Sequence, residues 1–407
     1  MTGGDGGEQG IPWKRVALDR VAARGSGHTP NKKRATYWNG DIPWVSLKDA
    51  SRLDRGLISA TAESITHAGL ANSSAVVHPA GSVVLLRDAG IGKVAVLGAD
   101  MAVSQHFMAW HCGPRLNNWF LYYYLESMKA EFERISNGST IKTIGVEYFR
   151  QLKVPLPAIE EQQLIARMLR DADGLIAALE RMIAKKQAVK QGLMQQLLTG
   201  RMRLPGFTQA WSRRNLSELL RPRSEFNSLS ENLTVLTCTK SMGFMRSMDY
   251  FKNQVFSRDL RGYRVIYRGD IGYPANHVEE GSIGVQELED RALVSPIYVV
   301  MEPGSGVDSY FLQRMLKLDT YRQKFSRATN ASVDRRGSLR WPEFSRIEVS
   351  VPHIEEQRRI SCVLRDSELE IAKLERRLRV AQDVKRGMMQ ELLTGRKRLL
   401  VQGEDGE

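Results

Sequence analysis

A chain of 407 residues with 42% hydrophobic and 8% aromatic content is long enough for two or three separate cores. No apolar run reaches the length of a membrane-spanning helix, and three widely spaced cysteines, Cys112, Cys238 and Cys362, argue against a disulfide framework or a zinc cluster and for the cytoplasm. A net charge of +13 and a pI near 9.7 favour a polyanionic partner. Nucleic acid is the commonest such partner, with an acidic protein or a membrane surface as alternatives.

In chain order, residues 1–10 read as a polar, glycine-rich tail, not a signal or transit peptide. Residues 11–153 form a first globular domain. Short β-type runs lie at Ser82–Leu86 and Val94–Leu97, and one amphipathic helix is expected near 117–134. Residues 154–204 read as a long helix. Residues 205–348 form a second globular domain, with β-type runs at Val265–Tyr267 and Ile297–Met301 and one helix near 308–327. Residues 349–400 repeat the long helix, and 401–407 read as a tail.

The repeat organises everything else. Val154–Leu204 lies on Val349–Leu399 without a gap, and 28 of 51 positions are identical. Its anchors are Pro157-Ala158-Ile159-Glu160-Glu161-Gln162 against Pro352-His353-Ile354-Glu355-Glu356-Gln357, and Leu197-Leu198-Thr199-Gly200-Arg201 against Leu392-Leu393-Thr394-Gly395-Arg396. A proline ahead of the start, glutamates in the first turn and a glycine past the last apolar pair bound each helix. Positions spaced four then three run from Ile165 to Leu197 and from Ile360 to Leu392, and eight of ten are apolar in each copy. That period predicts a coiled-coil seam. About 40 residues at about 1.5 Å each make a helix on the order of 60 Å long.

Connectivity sets direction. The first helix enters the second domain and the second helix leaves it, so two helices pairing from there run antiparallel. The expected fold is α+β: two globular domains separated by two long antiparallel helices, with a pseudo-two-fold internal repeat. Asn118-Trp119-Phe120-Leu121 and Ser309-Tyr310-Phe311-Leu312 mark the two domains as distant relatives whose intervening sequences differ almost everywhere.

The doubled Pro-x-Ile-Glu-Glu-Gln starts and Leu-Leu-Thr-Gly-Arg ends resemble those of the specificity subunits of Type I restriction-modification systems. So do the blocks Gly27–Pro30, Tyr37–Trp44, Leu86–Lys93 and Asn137–Lys142. The resemblance spans roughly 11–400. It implies two target recognition domains reading a bipartite double-stranded DNA site, and assembly with two modification subunits and with restriction subunits. It places S-adenosylmethionine, ATP and Mg in those partners and none on this chain. The second domain departs from the pattern, with Gly281-Ser282-Ile283-Gly284-Val285 where the Ile-Gly-Lys block would stand.

Catalytic motifs do not emerge. Gly90-Ile91-Gly92-Lys93 lacks the flanking glycine and the hydroxyl residue of a phosphate loop, and reads as a tight hairpin turn. His106, His111 and Cys112 have no second ligand pair nearby, and the chain has neither a Pro-Pro dipeptide nor a Gly-x-Ser-x-Gly elbow. Candidate DNA contacts are Lys32, Lys33, Arg34, Arg87, Lys93, Ser139, Thr140 and Lys142 in the first domain. In the second they are Arg258, Arg261, Arg264, Arg335, Arg336 and Arg340. Arg87 and Arg335 or Arg336 are expected on base edges, because a guanidinium bonds guanine through two parallel hydrogen bonds, and the lysines on phosphates. The first domain carries a net charge of +7 and the second +4. Arg376, Arg377, Arg379, Lys385 and Arg386 are expected on the outer faces of the second helix. A self-contained methyltransferase or nuclease and a coiled-coil adaptor without a DNA role are the competing readings.

Overall fold

The computed structural model describes residues 13–136, 143–276, 278–330 and 338–399. Two compact units emerge, each assembled from both halves of the chain: residues 1–180 with 376–407, and residues 181–375.

In the first unit, strands β1 (Arg15–Ala17), β2 (Ala22–Ser26), β3 (Trp38–Val45), β4 (Leu57–Ile58) and β5 (Glu63–Ile65) precede helix α1 (His67–Ala71). Strands β6 (Val77–His78), β7 (Val83–Leu86), β8 (Val94–Leu97), β9 (Met101–Val103) and β10 (Phe107–Cys112) follow. Then come α2 (Asn118–Ser127), α3 (Lys129–Ile135), α4 (Val146–Gln151) and β11 (Lys153–Pro155). One sheet has the order β2-β10-β7-β8-β4 and a second the order β5-β3-β9-β6. Strand β11 pairs antiparallel with β1 and closes the domain. The helix expected at 117–134 is two helices, because the chain turns at Met128 and re-aims Phe132 into the core. Nor is α2 amphipathic: Phe120 to Leu125 are all buried.

Helix α5 (Ile159–Leu197) leaves the first unit and ends in the second. The second unit then runs β12 (Ser212–Asn215), α6 (Leu216–Leu219), β13 (Leu220–Arg223), β14 (Leu236–Thr239), β15 (Gly243–Arg246) and α7 (Ser247–Tyr250). Next are β16 (Arg264–Tyr267), β17 (Ile271–Pro274), β18 (Gly284–Val285), β19 (Arg291–Val294) and β20 (Tyr298–Pro303). Helices α8 (Ser309–Leu316), α9 (Asp319–Asn330) and α10 (Trp341–Ser345) lead to β21 (Glu348–Val351). Helix α11 (Ile354–Leu392) returns to the first unit. The main sheet order β13-β20-β17-β18 matches β2-β10-β7-β8, and the pair β12-β21 matches β1-β11. Gly284–Val285, the departure noted in sequence, is β18 and pairs with β17 as β8 pairs with β7. The helix expected at 308–327 is again broken, at Lys317.

Both long helices have 39 residues, and all ten seam positions of each are buried or half-buried. Within each unit they run antiparallel. In the first, Lys385 Nζ lies 2.8 Å from Asp173; in the second, Lys190 Nζ lies 3.1 Å from Glu368. Lys385 is thus a seam residue, whereas Arg376, Arg377, Arg379 and Arg386 are exposed. The reason is the half-buried acid opposite it, which would otherwise stand uncompensated.

Each unit is sealed by the start of one helix and the end of the other. Arg398 forms a two-pronged ion pair with Glu161, both contacts 2.9 Å, and Arg203 does the same with Glu356 at 2.6 and 2.7 Å. Gln162 accepts from the amide of Asn117 and donates to the carbonyls of Arg115 and Pro157. Gln357 accepts from the amide of Asp308 and donates to Gly306 and Pro352. Gly395 (φ 74°) and Gly200 (φ 69°) turn the chain after each helix in the left-handed region, and the indoles of Trp13 and Trp211 lie over them, where a Cβ would press within about 3.1 Å.

Candidate nucleic-acid interface

The polar end of each main sheet is framed by the same backbone bonds. In the first unit the amide of Arg87 donates to His106 O (2.9 Å), the amide of Ile144 donates to Arg87 O (2.9 Å), and Asp88 bridges to Thr143. In the second, the amide of Ala275 donates to Ile297 O (3.1 Å), that of Leu339 donates to Ala275 O (2.9 Å), and Asn276 bridges to Ser338. Arg87, Asp88, His106 and Thr143 therefore occupy the places of Ala275, Asn276, Ile297 and Ser338. The frame is common and the side chains on it are not.

On the first frame His106 Nδ1 lies 2.7 Å from Asp88 Oδ1, and Thr29 Oγ1 donates to Gln105 Oε1 at 2.6 Å. The half-buried Arg87 has its Nε enclosed without a hydrogen-bond partner among the described residues. Lys32, Lys33 and Arg34 stand exposed together on the loop after β2, with the Arg34 guanidinium 5.9 Å from the Tyr37 ring. Lys93 is less available, since its ammonium donates to Asp54 (2.8 Å) and to Ala50 O (3.0 Å). The turn that carries it is a seven-residue loop and not a tight one: Gly90 and Gly92 have positive φ, and β7 and β8 flank it as a hairpin.

On the second frame lies a groove of about 440 Å³ lined by Arg223, Arg264, Asn276, Ser338, Arg340 and Trp341, among others. Arg264 is stacked on Phe226 (4.8 Å) and donates to Pro296 O (3.3 Å); burial lowers its pKa, and a guanidinium remains charged regardless. Arg223 is clamped between Asp270 (2.9 Å) and the Tyr267 ring (4.5 Å). Arg340 is exposed at the groove's rim, and Arg258 is exposed on the loop before β16. Arg261 is engaged by its neighbour Asp259, whose pKa those hydrogen bonds hold down at about 2.

Fourteen contact residues were expected. Arg264 and Arg340, 76 positions apart, share one groove, and Lys32, Lys33 and Arg34 share one loop. Ser139, Thr140, Lys142, Arg335 and Arg336 lie outside the described residues. Arg223, Asp88 and His106 were not among the expected contacts, although His106 was weighed as a metal ligand, and the structure sets all three on these faces. The offset between the frames cannot be found by identity, because no residue type is shared across them.

Chemically the two faces offer guanidinium donors, carboxylate and amide groups, and aromatic planes, a set suited to groove edges and phosphates. Among the described residues no cluster of His, Cys, Asp and Glu is placed to hold a metal ion, and no helix is long and apolar enough to cross a membrane.

Comparison with known proteins places the arrangement. The family described as the Type I restriction modification DNA specificity domain matches residues 11–191. That match takes in the first globular domain and most of α5. The MjaIX specificity subunit of Methanocaldococcus jannaschii is 30% identical over 166 residues, which take in 40% of this chain and only 38% of that subunit. The MjaVIII specificity subunit of the same organism is 23% identical over 333 residues, 76% of each chain. The crystal structure of the S subunit of a Type I restriction-modification system from M. genitalium superposes with a TM-score of 0.58 at 14% identity. It covers 95% of this chain and 97% of its own, a likeness of fold. The α+β domains and long helices of this chain thus share the fold of solved S subunits.

Proposed function

We propose that this chain is the DNA-reading subunit of a Type I restriction-modification complex and that catalysis belongs to its partners. Residues 11–153 and 205–348 are its two readers, joined by spacer helices within 154–204 and 349–400. Two modification subunits would bring S-adenosylmethionine, and restriction subunits would bring ATP and Mg, in the cytoplasm. The observation that carries the reading is the duplicated frame with unlike side chains: Arg87, Asp88 and His106 in one unit, Ala275, Asn276 and Ile297 in the other. A reader of two different half-sites needs one scaffold and two surfaces. Arg87, Lys32, Lys33 and Arg34 serve the first half-site, and Arg264, Arg340 and Arg258 the second. Two modification subunits per chain are supported by the duplicated helix pairing, and by exposed apolar side chains on the helical segments of each unit. These are Leu175, Val380 and Val384 in the first, and Met182, Val189 and Leu369 in the second.

The test is a domain exchange. Replacing residues 11–153 with the first domain of another family member, in cells carrying the modification subunits, should change one half of the methylated site and leave the other half intact. Mapping methylated adenines across the genome reads the outcome, and a change in both halves would defeat the proposal.

A further inference from the structure

The loop leaving the first strand of each main sheet occupies the same place in both units, but its tip differs in kind. After β2 it carries Lys32, Lys33 and Arg34. After β13 it carries Leu229, which is 83% exposed, more than any other large apolar side chain among the described residues. Apolar side chains at loop tips are costly in water, and tips are normally polar. This one is held still. Asn227, 3% exposed, donates from its amide to Tyr263 O (2.9 Å) and from Nδ2 to Glu231 O (3.0 Å), and its Oδ1 accepts from the amide of Glu231 (2.9 Å). The amide of Ser230 closes the turn on Asn227 O with φ at 55°. The loop's base is Phe226, bridged to Arg264 and stacked on its guanidinium. A second loop leans on the same Tyr263 through the amide of Ser257 (3.1 Å) and presents exposed Val255 and Arg258.

An apolar tip on a hydrogen-bonded turn, with cations on the adjoining segments, is the arrangement by which proteins unstack a base step: the apolar group enters between base pairs while the guanidinium groups hold the flanking phosphates. We infer that Leu229 is a wedge that inserts between adjacent base pairs in the half-site read by the second unit, with Arg258 and Arg264 on the phosphates beside it. The inference rests on the DNA-reading proposal. It adds an asymmetry, because the cationic tip of the first unit cannot wedge, so only the second half-site is opened.

The experiment uses the full chain assembled with its modification subunits, on duplexes containing the mapped target. 2-Aminopurine replaces adenine at successive steps other than those methylated. Fluorescence should rise several-fold at one step in or beside the second half-site and stay at the duplex level across the first. Leu229→Ala should abolish the rise while the footprint over both half-sites persists, and Leu229→Met should retain it. A rise that survives Leu229→Ala, or no rise beneath an intact footprint, would overturn the wedge alone. Absence of any sequence-specific footprint would overturn the DNA-reading proposal and the wedge with it.

Discussion

His78 shows how a single side chain braces the reading face from behind. Its ring is buried, and its Nε2 stands 3.2 Å from Ser26 O, the last residue of β2 before the Lys32–Arg34 loop. A carbonyl only accepts, so the neutral tautomer must carry its proton on Nε2. Gly25 makes room for the ring, since a Cβ there would sit 2.4 Å from His78 Cε1. Burial, the larger effect, lowers the His78 pKa below 6.5, and the Ser26 bond opposes it. The folded state therefore takes up a proton at a lower pH than the unfolded chain does. Above pH 6.5 the group contributes no pH dependence. As pH falls below 6.5 the unfolded chain is protonated first and stability drops, by up to about 1.4 kcal/mol per pH unit until the folded pKa is reached. Denaturant unfolding at pH 7.5 and pH 5.5 should show a larger loss for the wild type than for His78→Gln, whose amide can still donate to Ser26. Equal losses would mean that the ring is not held neutral.

At the scale of elements, the informative positions are those that break the apolar seam. Lys385 lies 2.8 Å from Asp173 and 3.4 Å from Glu126, over the Tyr123 ring, with its side chain 16% exposed. Lys190 meets Glu368, which also takes Arg314 at 2.7 Å. A charged pair within a seam fixes helix register more than it adds stability. Removing one partner leaves the other half-buried and unpaired. Lys385→Ala should cost about 1–2 kcal/mol, at the low end for a charged hydrogen bond because Asp173 keeps over a third of its surface in water. A cycle with Asp173→Asn should give a coupling of at least about 0.5 kcal/mol, and additive losses would show the pair to be incidental. Glu161 and Arg398 were legible in the sequence as identical letters at a fixed offset, because the same bonds recur in both units. The break at Met128 was not, since nothing in residues 117–134 interrupts the apolar pattern. The groove that unites Arg223, Arg264 and Arg340 was invisible for another reason: only folding brings β13, β16 and the segment before α10 together, and the matching frame of the first unit shares no side chain with it.

On the scale of the whole molecule, the first unit is discontinuous in the chain and the second is one stretch, residues 181–375, yet each draws on both long helices. The core of the first contains Ile165 and Leu169 from α5 together with Leu392 and Leu393 from α11, and Arg398 closes it on Glu161. In the second the equivalents are Ile360, Leu364, Leu197 and Leu198, with Arg203 on Glu356. A fragment ending at residue 204 thus keeps the first domain and Glu161 but loses Leu392, Leu393 and Arg398. It still carries Leu197, Leu198 and Arg203, the same residue types in the same order at the end of its own helix. One copy can supply to another what the missing segment supplied, because these anchoring residues are the same in both copies of the repeat. Residues 1–204 should therefore form a symmetric dimer joined by two antiparallel copies of α5, an isologous contact of the kind that closes at two subunits. Light scattering after size exclusion would measure the mass. Arg203→Ala should weaken the dimer, whereas in the full chain it should leave the first unit's Arg398–Glu161 seal untouched. A stably folded monomer of 1–204 would show that the repeated helix ends are not interchangeable, and that the two halves of the chain have diverged in packing as well as in the faces they present.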